Sequence, residues 1–193
     1  MPRLNVPPAR LKAHLKRGGL IAYPTESSYG LGCLPQHKRA LNQLIKMKKR
    51  PQHKGLIVIA DRLCRLKNTG ANRAKKLLHT LGEADEGRLK NEWPARKTFL
   101  LPAAPHVLPQ LRGRNRRKLA VRIPDHALAR QVCQSAGSAL VSTSCNRARQ
   151  RPCRTEREVK RQFGRKVLVI GGRTGGAKTP SAIIDFESGE KLR

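Results

Sequence analysis

The feature that most constrains the fold is a repeating order of short apolar runs and helix-patterned segments. The runs are "LIAY" (20–23), "GLIVIA" (55–60), "KTFLL" (97–101), "KLAVRI" (118–123), "ALVST" (139–143), "KVLVI" (166–170) and "SAIIDF" (181–186). Each reads as a buried strand. Helical patterns separate several of them. Residues 7–17 open on prolines, set Leu11 and Leu15 four apart, and end on Gly18 and Gly19. Residues 37–49 place Leu41, Leu44, Ile45 and Lys48 on one side. "HALARQVCQSAG" (126–137) and "TEREVKRQFG" (155–164) are two more helices, the second with Thr155 and Glu158 in capping-box spacing and Gly164 at its end. "ANRAKKLLHTLG" (71–82) also reads as a helix, "EADEGRLKNEWPA" (83–95) as a polar connection, and the dense basic run "LRGRNRRK" (111–118) as a loop. Strands alternating with helices predict an α/β layer with a largely covered sheet. A chain of 193 residues suits one domain, 1–193.

Charge bounds the partners. Lys and Arg number 42 against 12 Asp and Glu, a formal net charge of +30. Such a surface attracts polyanions, whether RNA, nucleotides or acidic headgroups. The plainer alternative is a solvated basic surface without specificity. Aromatic residues make up 3% of the chain, too few for a stacking platform for single-stranded nucleic acid. Five cysteines, an odd number with no CxxC pair, fit reduced thiols in the cytoplasm. The histidines lack metal-ligand spacing, so no metal site is expected. No apolar run approaches the roughly 18 residues of a membrane span, and no signal-peptide stretch is present, so no membrane partner is expected.

Three polar stretches follow or flank apolar ones, and ligand sites in α/β folds gather at strand ends. The first is "AYPTESSYGLG" (22–32), which holds the sole carboxylate of the first 60 residues, Glu26. Thr25, Ser27 and Ser28 supply donors and acceptors, and Gly30 and Gly32 allow close backbone approach to a ligand. A hydrogen-bonded turn with Glu26 paired to an arginine is the competing reading. The second is "KMKKRPQHKG" (46–55), where Lys48, Lys49, Arg50 and Lys54 crowd a helix C-terminus. The helix dipole favours cations there by roughly 0.3–1 kcal/mol each, and mutual repulsion opposes them. A bound triphosphate relieves that repulsion, and Pro51 lets Arg50 and Lys54 point into one cleft; a solvated helix end is the alternative. The third is "LVSTSCN" (140–146), with Ser142, Thr143, Ser144 and Asn146 suited to phosphate or base edges, or to a plain turn. Cys145 has no recognisable base and reads as a bystander thiol. Neither GxxxxGK[ST] nor GxGxxG occurs, so ATP would bind without a Walker loop or dinucleotide fingerprint.

Together the three stretches resemble the YrdC/TsaC family of threonylcarbamoyl-AMP synthases. The family's P-T-E-T-x-Y-G-L-G loop stands as "PTESSYGLG", its K-x-R-P motif as "KKRP", and its S-T-S-A-N as "STSCN". "AVRIPDH" (120–126) and "TPSAIIDFESGEKLR" (179–193) resemble two further segments, in order from about residue 7 onward. The resemblance implies a twisted mixed α/β sheet with flanking helices and a basic concave cleft, in the short form without an extra C-terminal domain. It implies that L-threonine, bicarbonate or CO2, and ATP give threonylcarbamoyl-AMP and pyrophosphate, with Mg2+ as helper. Partner proteins then carry the group to an adenosine beside the tRNA anticodon. Lys48 and Arg50 take catalytic places, while Arg50, Lys54, Thr98, Ser144, Asn146 and Arg193 take ATP-side places. Ser27, Arg122, Ser142 and Ser181 take threonine-side places. The family's W-P-G-P-x-T reads "WPARKT" (93–98), with Ala95 and Arg96 at a turn near the ligand, a change at the cleft edge expected to loosen nucleotide binding. The rival is a non-catalytic RNA-binding or ribosome-associated module using the same basic cleft.

Overall fold

The computed structural model describes residues 4–51, 53–67 and 76–193. In chain order its elements are α1 (Pro8–Lys16), β1 (Ile21–Pro24), β2 (Tyr29–Gly32), α2 (Lys38–Lys48), β3 (Ile57–Ile59), α3 (Leu63–Lys67), α4 (Glu83–Glu92) and β4 (Lys97–Pro102). They continue with α5 (Pro109–Arg112), β5 (Lys118–Arg122), α6 (Ala127–Ala136), β6 (Leu140–Ser144), α7 (Glu156–Phe163), β7 (Leu168–Val169) and β8 (Ala182–Asp185). The strands form one mixed sheet in the order β7-β1-β2-β6-β3-β5-β4-β8. The pairs β1/β7, β3/β5 and β4/β8 are parallel, and the rest are antiparallel.

Alternation along the strands builds two cores. Ile21 and Tyr23 of β1, Ile59 of β3 and Leu140 of β6 pack with Leu11 and Leu15 of α1 and Ala129, Val132 and Cys133 of α6. Their neighbours Ala22, Val58 and Val141 point the other way and join Leu41 and Leu44 of α2, as the two-residue strand period requires. The helix ends match their residues. His37 and His126 each accept a main-chain N–H three residues on, at 3.3 Å. In α7, Thr155 Oγ1 accepts from Glu158 N, and Glu158 Oε2 accepts from Thr155 N, both at 3.2 Å.

The structure departs from the sequence reading in several places, and one is the basic run read as a loop, whose Leu111 and Arg112 belong to α5. "YGLG" is a strand, so the first polar stretch is a hairpin rather than a loop. Residues 83–92 are helical instead of a connection: Glu83, Asp85 and Glu86 lie in the first turn, where the helix dipole favours acids, and Leu89 is buried. Of the helix expected over 71–82, residues 71–75 lie outside the described residues. Residues 76–82 are not helical, and Leu78 is bridged to Ala103. No helix among the described residues is long and apolar enough to cross a membrane.

Candidate active site

The tight turn between β1 and β2 builds one wall of a cleft. Thr25 closes that turn, its N–H and hydroxyl both donating to Ser28 O at 3.0 and 2.7 Å. Beside it is a cleft of about 430 Å³ that takes in Ser27 from the turn, Ser142 and Ser144 from β6, and Arg50 just after α2. Arg122 at the end of β5 and Ser181 and Arg193 beside β8 complete it. Five cationic side chains line the cleft, Arg50, Arg122, Arg154, Lys178 and Arg193, and among the described residues no Asp or Glu does. Burial and the charge of Arg193 both lower the pKa of Arg50, as expected of cations held together without a counter-ion.

Glu26 lies behind this lining. It is 5% exposed, and its Oε1 accepts from Arg122 Nη1 at 3.1 Å and from Asp125 N at 3.0 Å. Both side chains of the pair are buried, so the carboxylate offsets much of the cost of burying the guanidinium. Glu26 Oε2 and Arg122 Nε have no protein partner. The lone acid is therefore an arginine's partner, and Arg122 is the member of the pair that faces the cleft.

Lys48 is the last residue of α2 and points inward. Its ammonium donates to Ser144 O, to Asn146 Oδ1 at 2.9 Å and to Asn146 O at 3.2 Å. Ser144 Oγ in turn donates to Asn146 Oδ1 at 2.7 Å. Burial first, and then the charge of Arg50, bring the Lys48 pKa down to about 8. Lys48 thus fixes the polar end of β6 rather than lining the cleft. Arg50 Nε donates to Lys54 O at 3.2 Å, with Lys49 in the left-handed region at φ 46°. That turn sends the Lys54 side chain into a different cavity, so Arg50 and Lys54 do not share a cleft.

On the opposite side Thr98 is fully buried and its hydroxyl meets Ser181 Oγ at 2.9 Å. Arg193 donates to Ser181 O at 3.1 Å. The substituted "WPARKT" edge gains a tie: Arg96 Nη2 donates to Thr179 O at 2.6 Å and Thr179 Oγ1 at 2.8 Å. It joins the edge to the segment carrying Lys178 and Ser181. Gly30 lines the cleft. Gly32 does not, because the room beside it is occupied by Val141 O and the Tyr23 ring. Cys145 is buried, which raises its thiol pKa and suppresses the thiolate a nucleophile needs.

The structure brings together Ser27, Arg50, Arg122, Ser142, Ser144, Ser181 and Arg193 as lining. Lys48, Asn146 and Thr98 stand behind them as supports. Arg154 and Lys178 were missed. Both belong to no recognised motif, and one cation among 42 carries no signal of its own.

Residues 13–193 match the Sua5/YciO/YrdC family model, described as "Telomere recombination". The threonylcarbamoyl-AMP synthase of Neisseria gonorrhoeae is 58% identical over 184 residues, covering 95% of this chain and 93% of that protein. Among solved structures, P. abyssi Sua5 complexed with L-threonine superposes with a TM-score of 0.75 at 24% identity over 94% of this chain. This chain spans about half of that one, 52%. E. coli YciO gives a TM-score of 0.72 at 23% identity, covering 94% of this chain and 85% of its own. At these identities the two structural likenesses speak for the fold.

Proposed function

This chain belongs to the Sua5/YciO/YrdC family, and on that premise we propose that residues 1–193 form one catalytic domain, a threonylcarbamoyl-AMP synthase of nucleotidyltransferase type. Its substrates are L-threonine, bicarbonate or CO2, and ATP. The observation that carries the reading is the cleft itself: five cations, no Asp or Glu among the described residues, and a row of serine hydroxyls, in a chain 58% identical to a protein of that name.

The chemistry follows from this lining. The threonine amine forms an N–C bond to CO2 and loses a proton, leaving a carbamate. A carbamate oxygen attacks the α-phosphorus of ATP, the bond to the bridging oxygen breaks, and pyrophosphate leaves with the electron pair. Negative charge grows on the phosphoryl and leaving oxygens, so cations already fixed nearby lower the barrier. Arg50 and Arg193 take that role. Arg122, held by Glu26, faces the threonine carboxylate, and Ser27, Ser142 and Ser181 flank it. Ser144 and Asn146, braced by Lys48, hold the nucleotide. Lys54 has no part in this assignment. Among the described residues the lining includes no Asp or Glu, so a helper Mg2+ would be held by the substrate phosphates and water, and no step is assigned to it. The product goes, in the cytoplasm, to partner proteins that modify an adenosine beside the tRNA anticodon. A non-catalytic RNA module would need neither the hydroxyls nor an amino-acid subsite.

Pyrophosphate release with each substrate omitted in turn tests the assignment. Release should require ATP, threonine and bicarbonate together. Arg50→Ala should lower turnover on the order of 100-fold while keeping the unfolding midpoint. Release without threonine, or full turnover in Arg50→Ala, would overturn it.

A further inference from the structure

Two cations of the cleft, Arg154 and Lys178, have no part in the assigned chemistry. Lys178 sits on an irregular segment, residues 171–181, that runs from β7 to β8. The segment is fastened at both ends. Gly175 N donates to Thr25 O at 3.0 Å and Ala177 N to Glu26 O at 2.9 Å, which lays it along the β1–β2 turn. A Cβ on Gly175 would lie 3.1 Å from Glu26 O, so glycine suits that close approach. At the far end Ser181 Oγ meets the Thr98 hydroxyl, and Ser181 O accepts from Arg193.

Arg96 fastens the middle. The pairing of β4 with β8 begins at Lys97 and Ala182, and Ala182 N donates to Arg96 O at 3.1 Å. Upstream of that bond the Arg96 side chain takes over, with Nη2 on Thr179 O at 2.6 Å and on Thr179 Oγ1 at 2.8 Å. Among the described residues, these are the hydrogen bonds that reach residues 178–180. Burial first, and the charge of Arg96 after it, lower the pKa of Arg122, against the opposing charge of Glu26. Arg96 therefore stands on the same side of the cleft as Arg122.

Position relates Lys178 to one substrate group. Its neighbour Ala177 is bonded to Glu26, next to Ser27, and Ser181 follows three residues on. Both serines flank the threonine side. Arg154 instead follows Cys153, whose N–H donates to Cys145 O at 2.8 Å beside Ser144 and Asn146, on the nucleotide side. With the threonine carboxylate facing Arg122, the anion left to hold on the threonine side is the carbamate. We propose that Lys178 binds one oxygen of that carbamate, and that Arg96, through Thr179, is the positioning residue that holds Lys178 there. This rests on the synthase reading. As the N–C bond forms, an electron pair of CO2 moves onto the oxygen that the ammonium faces. The amine proton leaves to solvent, and Lys178 gives up none. The second carbamate oxygen stays free to attack phosphorus. A cation already in place strengthens the hydrogen bond as that charge appears.

Lys178 and Arg96 are both exposed, so Lys178→Met, Lys178→Arg and Arg96→Ala should fold, which the unfolding midpoint checks. Pyrophosphate release is measured against bicarbonate in CO2-depleted buffer, with ATP and threonine saturating. Lys178→Met should raise the KM for bicarbonate by about 5- to 10-fold, and Lys178→Arg should recover most of that loss. The KM for ATP, and the Kd of threonine measured without bicarbonate, should stay within about 2-fold of wild type. Arg96→Ala should raise the same bicarbonate KM. It should add nothing further in Arg96→Ala/Lys178→Met, because both changes act through one contact. An unchanged bicarbonate KM in Lys178→Met would overturn the proposal and leave the synthase reading standing. Equal losses for all three substrates, or additive losses in the double variant, would overturn it too, since general support of the fold predicts both. A wild type that releases pyrophosphate without bicarbonate would overturn the synthase reading and this inference with it.

Discussion

Lys48 shows how one side chain ties a helix end to the polar end of a strand. Its ammonium satisfies acceptors on Ser144 and Asn146, yet burial and nearby Arg50 lower its pKa from 10.5 to about 8. Between those values the unfolded chain holds a proton that the folded protein has released. By linkage, this group's contribution to stability rises as pH goes from about 8 toward 10.5. Buried thiols act in the opposite sense. Cys33, pushed up to about 12, stays protonated when folded while the unfolded thiol ionises above 9, so its contribution falls with pH. The two trends separate in a difference measurement. The unfolding free energy of the wild type minus that of Lys48→Met, from urea titrations, should increase across pH 8 to 10. A flat difference would mean that Lys48 keeps an ordinary pKa.

Among the elements, β2 depends most on its surroundings. A Cβ at Gly32 would lie 2.4 Å from Val141 O and 3.0 Å from the Tyr23 ring. Gly32→Ala must therefore push β2 away from β6, the strand bearing Ser142 and Ser144. We expect a loss of about 1–3 kcal/mol by urea unfolding and weaker ATP binding. Gly87→Ala in α4 is the control. Nothing lies within 4 Å of that Cβ, so it should gain about 0.5–1 kcal/mol from helix propensity. Equal effects at the two sites would remove the steric argument. The same contrast explains what was legible in the sequence. Helices α2, α6 and α7 carry apolar stripes, α7 adds a capping box that the sequence shows, and they lie where periodicity puts them. In β2 half the residues are glycine, a poor strand former, and the room that selects it belongs to other strands. Helix α4 buries Leu89 but otherwise docks through charge, with Glu86 on Lys67 and the Arg88 guanidinium 4.5 Å from the Phe186 ring centre. An apolar pattern cannot reveal such a face. The hydroxyl-rich stretches were legible through their resemblance to a family. The partition of Arg50 and Lys54 was not, because it turns on the backbone at Lys49.

Across the whole molecule the charge is unevenly compensated. Glu86, Glu92, Asp185 and Glu187 pair with lysines around α3, α4 and the β4–β8 end of the sheet. Among the described residues, neither the cleft nor the cavity that Lys54 faces has an Asp or Glu in its lining. At +30 the folded state should be strained by self-repulsion. Chloride screens that repulsion over a Debye length of about 10 Å at 0.1 M, so the melting temperature should rise with salt and then level off. A built anion site adds a separate contribution that screening cannot supply. At matched ionic strength, pyrophosphate at about 100 times its Kd should stabilise by about 2.7 kcal/mol, or about 5–10 °C for a chain this long. Arg50→Ala should lose most of that extra shift while keeping the response to chloride, because it removes one fixed partner and changes the net charge by a single unit. If pyrophosphate did no more than chloride at equal ionic strength, the cations lining the cleft would be a diffuse field rather than a site.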